Sequence, residues 1–349
     1  MRKTYLNLFF VLLSLLIVFS ACQPNLPARV EAPEPTAYEM PVTLLTLAAP
    51  LNTPKAEISG LSWAGDWLIF LPQYPGRFNN QLFRISKDTL LQAIQTNSSE
   101  PLPMLPITLD SAGLEKSIPG FEGFEAIAVE NNTVYLTIEA KQGEMMGYIV
   151  SGILNETMDQ IALDADSLTE LEPQAKLDNM SDESIVVFGR RVITFYEANG
   201  FNVNADPSAY SLDLDLHPMD RLSFPTIEYR VTDASNVDTN GLFWVINYFY
   251  PGDKKLKPAE DFFSQTYGKG YTHNQNTTVE RLIPLQFTED GIVPVQKAPI
   301  QLELLPDDEA RNWEGLVTLD DLGFLIVTDE FPETLFGFVA FPEFYEPIR

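Results

Sequence analysis

The sequence predicts an all-β chain folded as a β-propeller of four-stranded blades, closed by pairing an N-terminal strand with the last blade. Three observations carry this. From Pro41 onward, short apolar runs alternate with polar residues between Gly, Asn and Asp turns. Sustained helical periodicity is almost absent. One hairpin module also recurs five times, and repetition at tens of residues marks a propeller.

The modules follow in chain order. Gly60 to Trp63 turns at Ala64-Gly65-Asp66 into Trp67 to Leu71, and Ala126 to Val129 turns at Glu130-Asn131-Asn132 into Val134 to Ile138. Ile185 to Phe188 turns at Gly189-Arg190 into Val192 to Tyr196, and Asn236 to Asp238 turns near Asn240-Gly241 into Leu242 to Ile246. The last runs from Gly315 to Leu319, through Asp320-Asp321, into Phe324 to Val327. Weaker strands follow each hairpin except the last, giving four per unit. With Glu57, Glu125, Glu183, Asn236 and Glu314 as equivalent starts, the spacings are 68, 58, 53 and 78 residues. Five blades are counted, and the last step, through Tyr250 to Leu305, is long enough to hide a sixth. The final unit has three obvious strands, ending at Leu335 to Ala340, whereas Pro41 to Leu47 stands alone at the front. Pairing the two closes the ring and removes exposed sheet edges. A β-sandwich or two-sheet barrel is the competing arrangement.

The N-terminus carries an address. Arg2 and Lys3 precede an apolar run from Leu6 to Ala21 that is too short to span a bilayer comfortably, as in a signal peptide. Val18-Phe19-Ser20-Ala21-Cys22 resembles the lipobox of bacterial lipoproteins, with Phe19 departing from the usual aliphatic residue. The resemblance implies lipidation of Cys22 and an extracytoplasmic or periplasmic domain held at a cell membrane. An ordinary signal peptide or an uncleaved anchor is the plainer alternative. Cys22 is the only cysteine, so the exported domain has no disulfide. The organisation is a signal segment over 1–21, a Pro-rich tether over 22–40 and a propeller over 41–349.

Charge narrows the partners. Lys and Arg number 22 against 49 Asp and Glu, for a formal net charge of −27. Such a surface repels phosphate backbones and attracts cations, which excludes nucleic acid as a natural partner. It equally keeps an exported protein soluble and monomeric. His217 and His273, the only histidines, fall in loops without zinc-ligand spacing and read as surface residues. Gly60-Leu-Ser62 lacks the second glycine and the strand-to-helix turn of a nucleophile elbow. No glycine-rich phosphate cradle precedes a helix.

In a propeller, residues before the first strand of a blade and after its second share one face. Here they carry oxygen: Glu125 with Glu139, Glu183 with Glu197, Asn236 with Asn247, and Glu314 with Asp329. A ring of Glu125, Glu139, Glu183, Asn236, Glu314 and Asp329 suits Ca²⁺, which takes six to eight hard oxygen ligands. Acids at strand ends also cap loops, and no contiguous calcium loop is present.

The stretches Gly120 to Ala128 with Val134 to Glu139, and Asn312 to Val317 with Leu325 to Glu330, resemble the Glu-Gly hairpins of phytase-like (esterase-like) β-propeller proteins. Glu57-Ile-Ser-Gly-Leu61 is a weaker third. The resemblance covers about a third of the domain and implies hydrolysis of a small ester or phosphoester with Ca²⁺ in the channel. Its members have six blades, against the five counted. Glu125 and Glu314 carry over as catalytic candidates, either serving as general base, with Glu139 and Asp329 as hairpin partners. Arg311, beside the Asn312-Trp313-Glu314 turn, is a candidate clamp for an anionic substrate, and a plain salt bridge is its alternative role. A non-catalytic cell-surface binding or scaffold propeller is the competing reading, with Tyr248 to Gly252 and Phe262 to Asn276 as the contact loop.

Overall fold

A computed structural model describes residues 37–343. Cys22, the signal segment and most of the tether lie outside the described residues. Among those described, no helix is long and apolar enough to cross a membrane.

The strands form five blades around one axis. The inner strands are Ile58–Ala64, Phe121–Glu130, Asp182–Phe188, Arg230–Ala234 and Trp313–Leu319. Each lies against the next, and the fifth lies against the first. Blades I to III each continue outward through antiparallel neighbours. The outermost strands of blades I and II, Leu105–Asp110 and Gln160–Leu171, pair in parallel and join the two into one eight-stranded sheet.

Alternation along the strands explains why blades stack. In Trp67–Pro72, Leu68 and Phe70 enter the core shared with blade V, while Ile69 and Leu71 enter the core shared with blade II. Side chains two apart share a face, so an apolar run of this kind is buried on both sides. Every inter-blade space holds such a core, including the stacked Phe195 and Phe243 rings between blades III and IV.

Closure occurs as the sequence predicts. Thr43–Leu45 is the outer strand of blade V, with Thr43 opposite Phe338 and Leu45 opposite Phe336. The ring is therefore completed by the first and last parts of the described chain.

Blade IV corrects the sequence reading in two ways. Its inner strand is Arg230–Ala234, so Asn236 lies beyond the end of that strand and does not begin it. No sixth blade occupies the long step. Residues 250–278 form loops with a short helix at Phe262–Tyr267, and Val279–Thr288 returns as the third strand of blade IV.

The tether boundary also moves. Tyr38–Met40 pairs in parallel with Ile300–Leu302 at the outer edge of blade IV. The Glu39 carboxylate accepts hydrogen bonds from the backbone of Thr272 and His273, the Thr272 hydroxyl and the His273 ring. His273 is consequently buried and is not a surface residue. Its Nδ1 lies 2.8 Å from Glu39 and its Nε2 accepts from the Glu280 N–H, while burial lowers its pKa. The longest helix among the described residues escaped the sequence reading: Lys87–Thr96 begins at a Ser86 cap and buries Leu90 and Ala93 on blade I.

Leu45 is 7% exposed within the closing strand. Leu45→Ala is expected to destabilise the domain by about 2 to 4 kcal/mol in urea unfolding, because it opens a cavity in the seam. An unchanged midpoint would show that the closing strand does not hold the ring.

Candidate functional site

Every inner strand carries a register shift of the β-bulge kind. The extra residue is Ser59, Glu183 and Glu314 in blades I, III and V; blade II has two shifts, at Glu122 and Glu125, and in blade IV the shift falls at Thr232-Asp233. A bulge redirects a side chain and bends the strand. The residue after each bulge is small: Gly60, Ala126, Ser184, Ala234 and Gly315. Close approach between blades requires this. A Cβ on Gly315 would lie 2.5 Å from Val327 and 2.8 Å from Leu61 of blade I, and one on Gly60 would lie 3.1 Å from Ile127 of blade II. Acid followed by small residue is thus the true repeat register, which places blade IV at Asp233-Ala234.

Two of the five bulge residues bind neighbouring backbone. Ser59 donates to the Phe124 carbonyl, and Asp233 accepts from the Leu316 N–H at 2.7 Å. The other three, Glu125, Glu183 and Glu314, line one cavity of about 640 Å³ at the channel mouth. Glu139 and Asp329, from second-strand ends, join them. Five of the six residues predicted to hold a metal therefore converge. Asn236 does not, because it lies beyond the far end of its inner strand, where its Oδ1 accepts from the N–H and hydroxyl of Thr318.

The hairpin partners divide similarly. Glu197 is buried as an ion partner of Arg230. Asn247 is buried in the blade, where it donates to the Glu228 and Arg230 carbonyls and accepts from Arg281.

Arg311 does not line the cavity. Its guanidinium pairs with buried Glu280, donates to the Glu303 carbonyl and lies 5.2 Å from the Trp313 ring centre. It is committed to packing and leaves no free fork for a substrate. The inner cation is Arg230, which pairs with Glu197, lies 3.9 Å from Glu183 and faces the Tyr248 ring. At the rim, Arg77 pairs with Glu57 and stacks 4.3 Å from the Tyr74 ring centre. Arg230 stands three residues before Asp233, so the acid-small register would have placed it on the inner strand of blade IV.

Two amides hold the acids. Gln73 donates to Glu125 at 3.0 Å, and the Asn312 amide bridges Glu314 and Asp329, reaching the latter at 2.9 Å. Glu139 Oε1, Glu183 Oε2 and Asn312 Oδ1 are buried with no hydrogen-bond partner. Buried acceptors are ordinarily satisfied.

Burial dominates the acid-base behaviour, and neighbouring carboxylates add to it. It pushes Glu125 and Glu314 well above the usual range, with Glu139 pressing on the first and Asp329 on the second. Burial and Glu183 push Glu139 up to about 8, while burial raises Glu183 to about 7 against the opposing pull of Arg230. Asp329 is raised by burial to about 6, restrained by its Asn312 hydrogen bond. One arginine cannot balance five carboxylates, so the cluster holds protons or cations.

A second acidic group, Asp213, Asp215 and His217, lies in blade III with its oxygens and ring nitrogen within 4.8 Å. There Asp213 Oδ1 accepts from the N–H groups of Asp215 and His217, as a turn requires.

No family model matches the chain, and no curated protein is similar to it in sequence. Its structure is similar to the soluble aldose sugar dehydrogenase from Escherichia coli, at TM-score 0.43 and 11% identity over 86% of this chain and 99% of that one. It is also similar to xylan β-1,4-xylosidase from Bacillus halodurans C-125, at TM-score 0.45 and 9% identity over 81% of this chain and 50% of that one. At this level of likeness the strand pairing itself establishes the propeller.

Glu139, Glu183 and Asp329 bind protons more tightly folded than unfolded, so stability falls as pH rises from about 4.5 through about 8. The thermal midpoint is expected to drop between about pH 5 and pH 8. Ca²⁺ should raise it more at the higher pH; a flat profile without Ca²⁺ would contradict the burial of these acids. Arg230→Gln strands Glu183 and Glu197, and should cost about 3 to 5 kcal/mol in urea unfolding at neutral pH.

Proposed function

We propose that the chain is a membrane-anchored extracytoplasmic propeller that hydrolyses an ester or phosphoester at its channel mouth with Ca²⁺. The observation that carries this is the unsatisfied oxygen set: Glu139 Oε1, Glu183 Oε2 and Asn312 Oδ1, buried at one cavity with Glu125, Glu314 and Asp329. Carboxylate and amide oxygens without partners fit a hard divalent cation, and Ca²⁺ tolerates their irregular arrangement. The cation would be held by Glu125, Glu139 and Glu183, leaving Glu314 and Asp329 for proton transfer. Bound there, it supplies charge stabilisation of the reacting oxygen and a more acidic water. The resemblance of the Glu-Gly hairpins to phytase-like propellers supports the same chemistry.

The chain's own groups suit the proton transfers. Glu314 and Asp329 share the Asn312 amide but sit in different ranges, with Glu314 well above normal and Asp329 at about 6. A pair pushed apart in this way separates into acid and base. Asp329 takes a proton from water as its oxygen bonds to the acyl or phosphoryl centre. The ester bond then breaks with its electrons on the leaving oxygen, which receives the proton of Glu314. Glu314 is thus the donor and Asp329 the base in this reading.

The binding-module reading keeps one observation of its own. Tyr250, Phe262 and Tyr271 are 49%, 61% and 77% exposed on the loop after the second strand of blade IV. Exposed aromatics on a long loop favour recognition of a partner.

Calorimetric titration of Ca²⁺ and turnover of an ester and phosphoester panel test the hydrolase. We expect one site, weakened ~10-fold or more in Glu125→Gln and Glu183→Gln, and turnover lost on chelation. Calcium-independent folding with no binding and no turnover would leave the module reading standing.

A further inference from the structure

We propose that the organic ligand of the channel mouth is cationic: an amine-bearing or quaternary ammonium ester, with phosphate monoesters excluded. This rests on the hydrolase reading above and names its substrate class. A cavity of about 640 Å³ far exceeds one ion and matches the size range of small-molecule sites.

Charge decides what fills it. Ten carboxylates line the cavity against two guanidinium groups, Arg77 and Arg230. Both arginines are already engaged, with Glu57 and with Glu183 and Glu197 respectively. Around the buried acids, which hold protons or the cation, the cavity adds Glu57, Asp253, Asp308, Glu309 and Glu330. A phosphate monoester would meet a negative wall without a free cation to clamp it, whereas an ammonium group would meet the opposite.

The protein's own arginines show how a cation is accommodated here. Arg77 lies over Tyr74 beside Glu57, and Arg230 faces Tyr248 beside Glu183. Each cation has an aromatic face on one side and a carboxylate on the other, an arrangement worth most where water is excluded. At the mouth, aromatic rings and acids line the cavity again; Glu330 pairs with exposed Lys55 at 3.4 Å, whereas Asp253 has no ion-pair partner among the described residues. Tyr250 and Phe331 line the cavity, are 49% and 58% exposed, and have no ring or cation-π partner among the described residues. Asp253 and Glu330 line the same cavity. The unpartnered Glu139 and Glu183 oxygens lie deeper, for the cation of the hydrolase reading. The ammonium therefore belongs at the aromatic mouth, and the ester bond extends inward to Glu314 and Asp329. Hydrolysis consumes one water, whose oxygen joins the acyl carbon, and releases the carboxylic acid and the amino alcohol.

The test compares choline with its neutral isostere 3,3-dimethylbutan-1-ol by calorimetry on the Ca²⁺-saturated protein, with inorganic phosphate as the anionic probe. Choline is expected to bind ~10-fold or more tightly than the isostere, and phosphate not at all. Tyr250→Ala and Phe331→Ala, both at exposed positions, should weaken choline ~10-fold while leaving the Ca²⁺ titration unchanged. Equal binding of choline and the isostere, or phosphate binding tighter than choline, overturns the inference. Those outcomes leave the hydrolase standing if Ca²⁺ binds and neutral esters turn over. Choline binding without any Ca²⁺ site does the reverse, supporting the cationic ligand and removing the hydrolase.

Discussion

Five inner strands must approach one axis closely while leaving a chemically useful channel, and the β-bulge is the device that satisfies both demands. The residue after each bulge is small because neighbouring blades leave no space for more, as the contacts around Gly60 and Gly315 show. The bulged residue itself is displaced out of the ladder and carries an oxygen at every blade. Packing and site are therefore two consequences of one backbone irregularity. The cores between blades hold the frame rigid enough that Glu125, Glu183 and Glu314 stay convergent.

Convergence has an electrostatic consequence. Carboxylates taken from water into a shared cavity raise one another's pKa, and Arg230 offsets only part of the effect. Burying Arg230 with Glu183 and Glu197 is a weak source of stability but a strong constraint, since removing one partner leaves the others uncompensated. Asn247 secures the backbone beneath it through the Glu228 and Arg230 carbonyls. The remaining excess of acidic groups at the mouth favours cations over anions.

Much of this was legible in the sequence. Strand alternation and hairpin turns gave five blades, and the isolated strand at Thr43–Leu45 gave the closure. Glu125, Glu139, Glu183, Glu314 and Asp329 were found because acids near strand ends repeat at hairpin spacing. Blade IV was misread because its bulge carries Asp233, held by Leu316, so an amide three residues on was taken for the equivalent position. Arg311 was singled out and Arg230 passed over for a related reason: proximity in sequence to Glu314 says nothing of which way a side chain points. His273 and Glu39 show the same limit. Their pairing joins residues 234 positions apart and cannot be read from either loop.

The most direct measurement is a crystal structure of the protein grown with Ca²⁺, read by anomalous scattering. The bulge-borne cluster predicts one ion at the channel mouth, ligated by oxygens among Glu125, Glu139 and Glu183. A mouth holding only water, with the ion instead at the exposed Asp213, Asp215 and His217 turn, would contradict it.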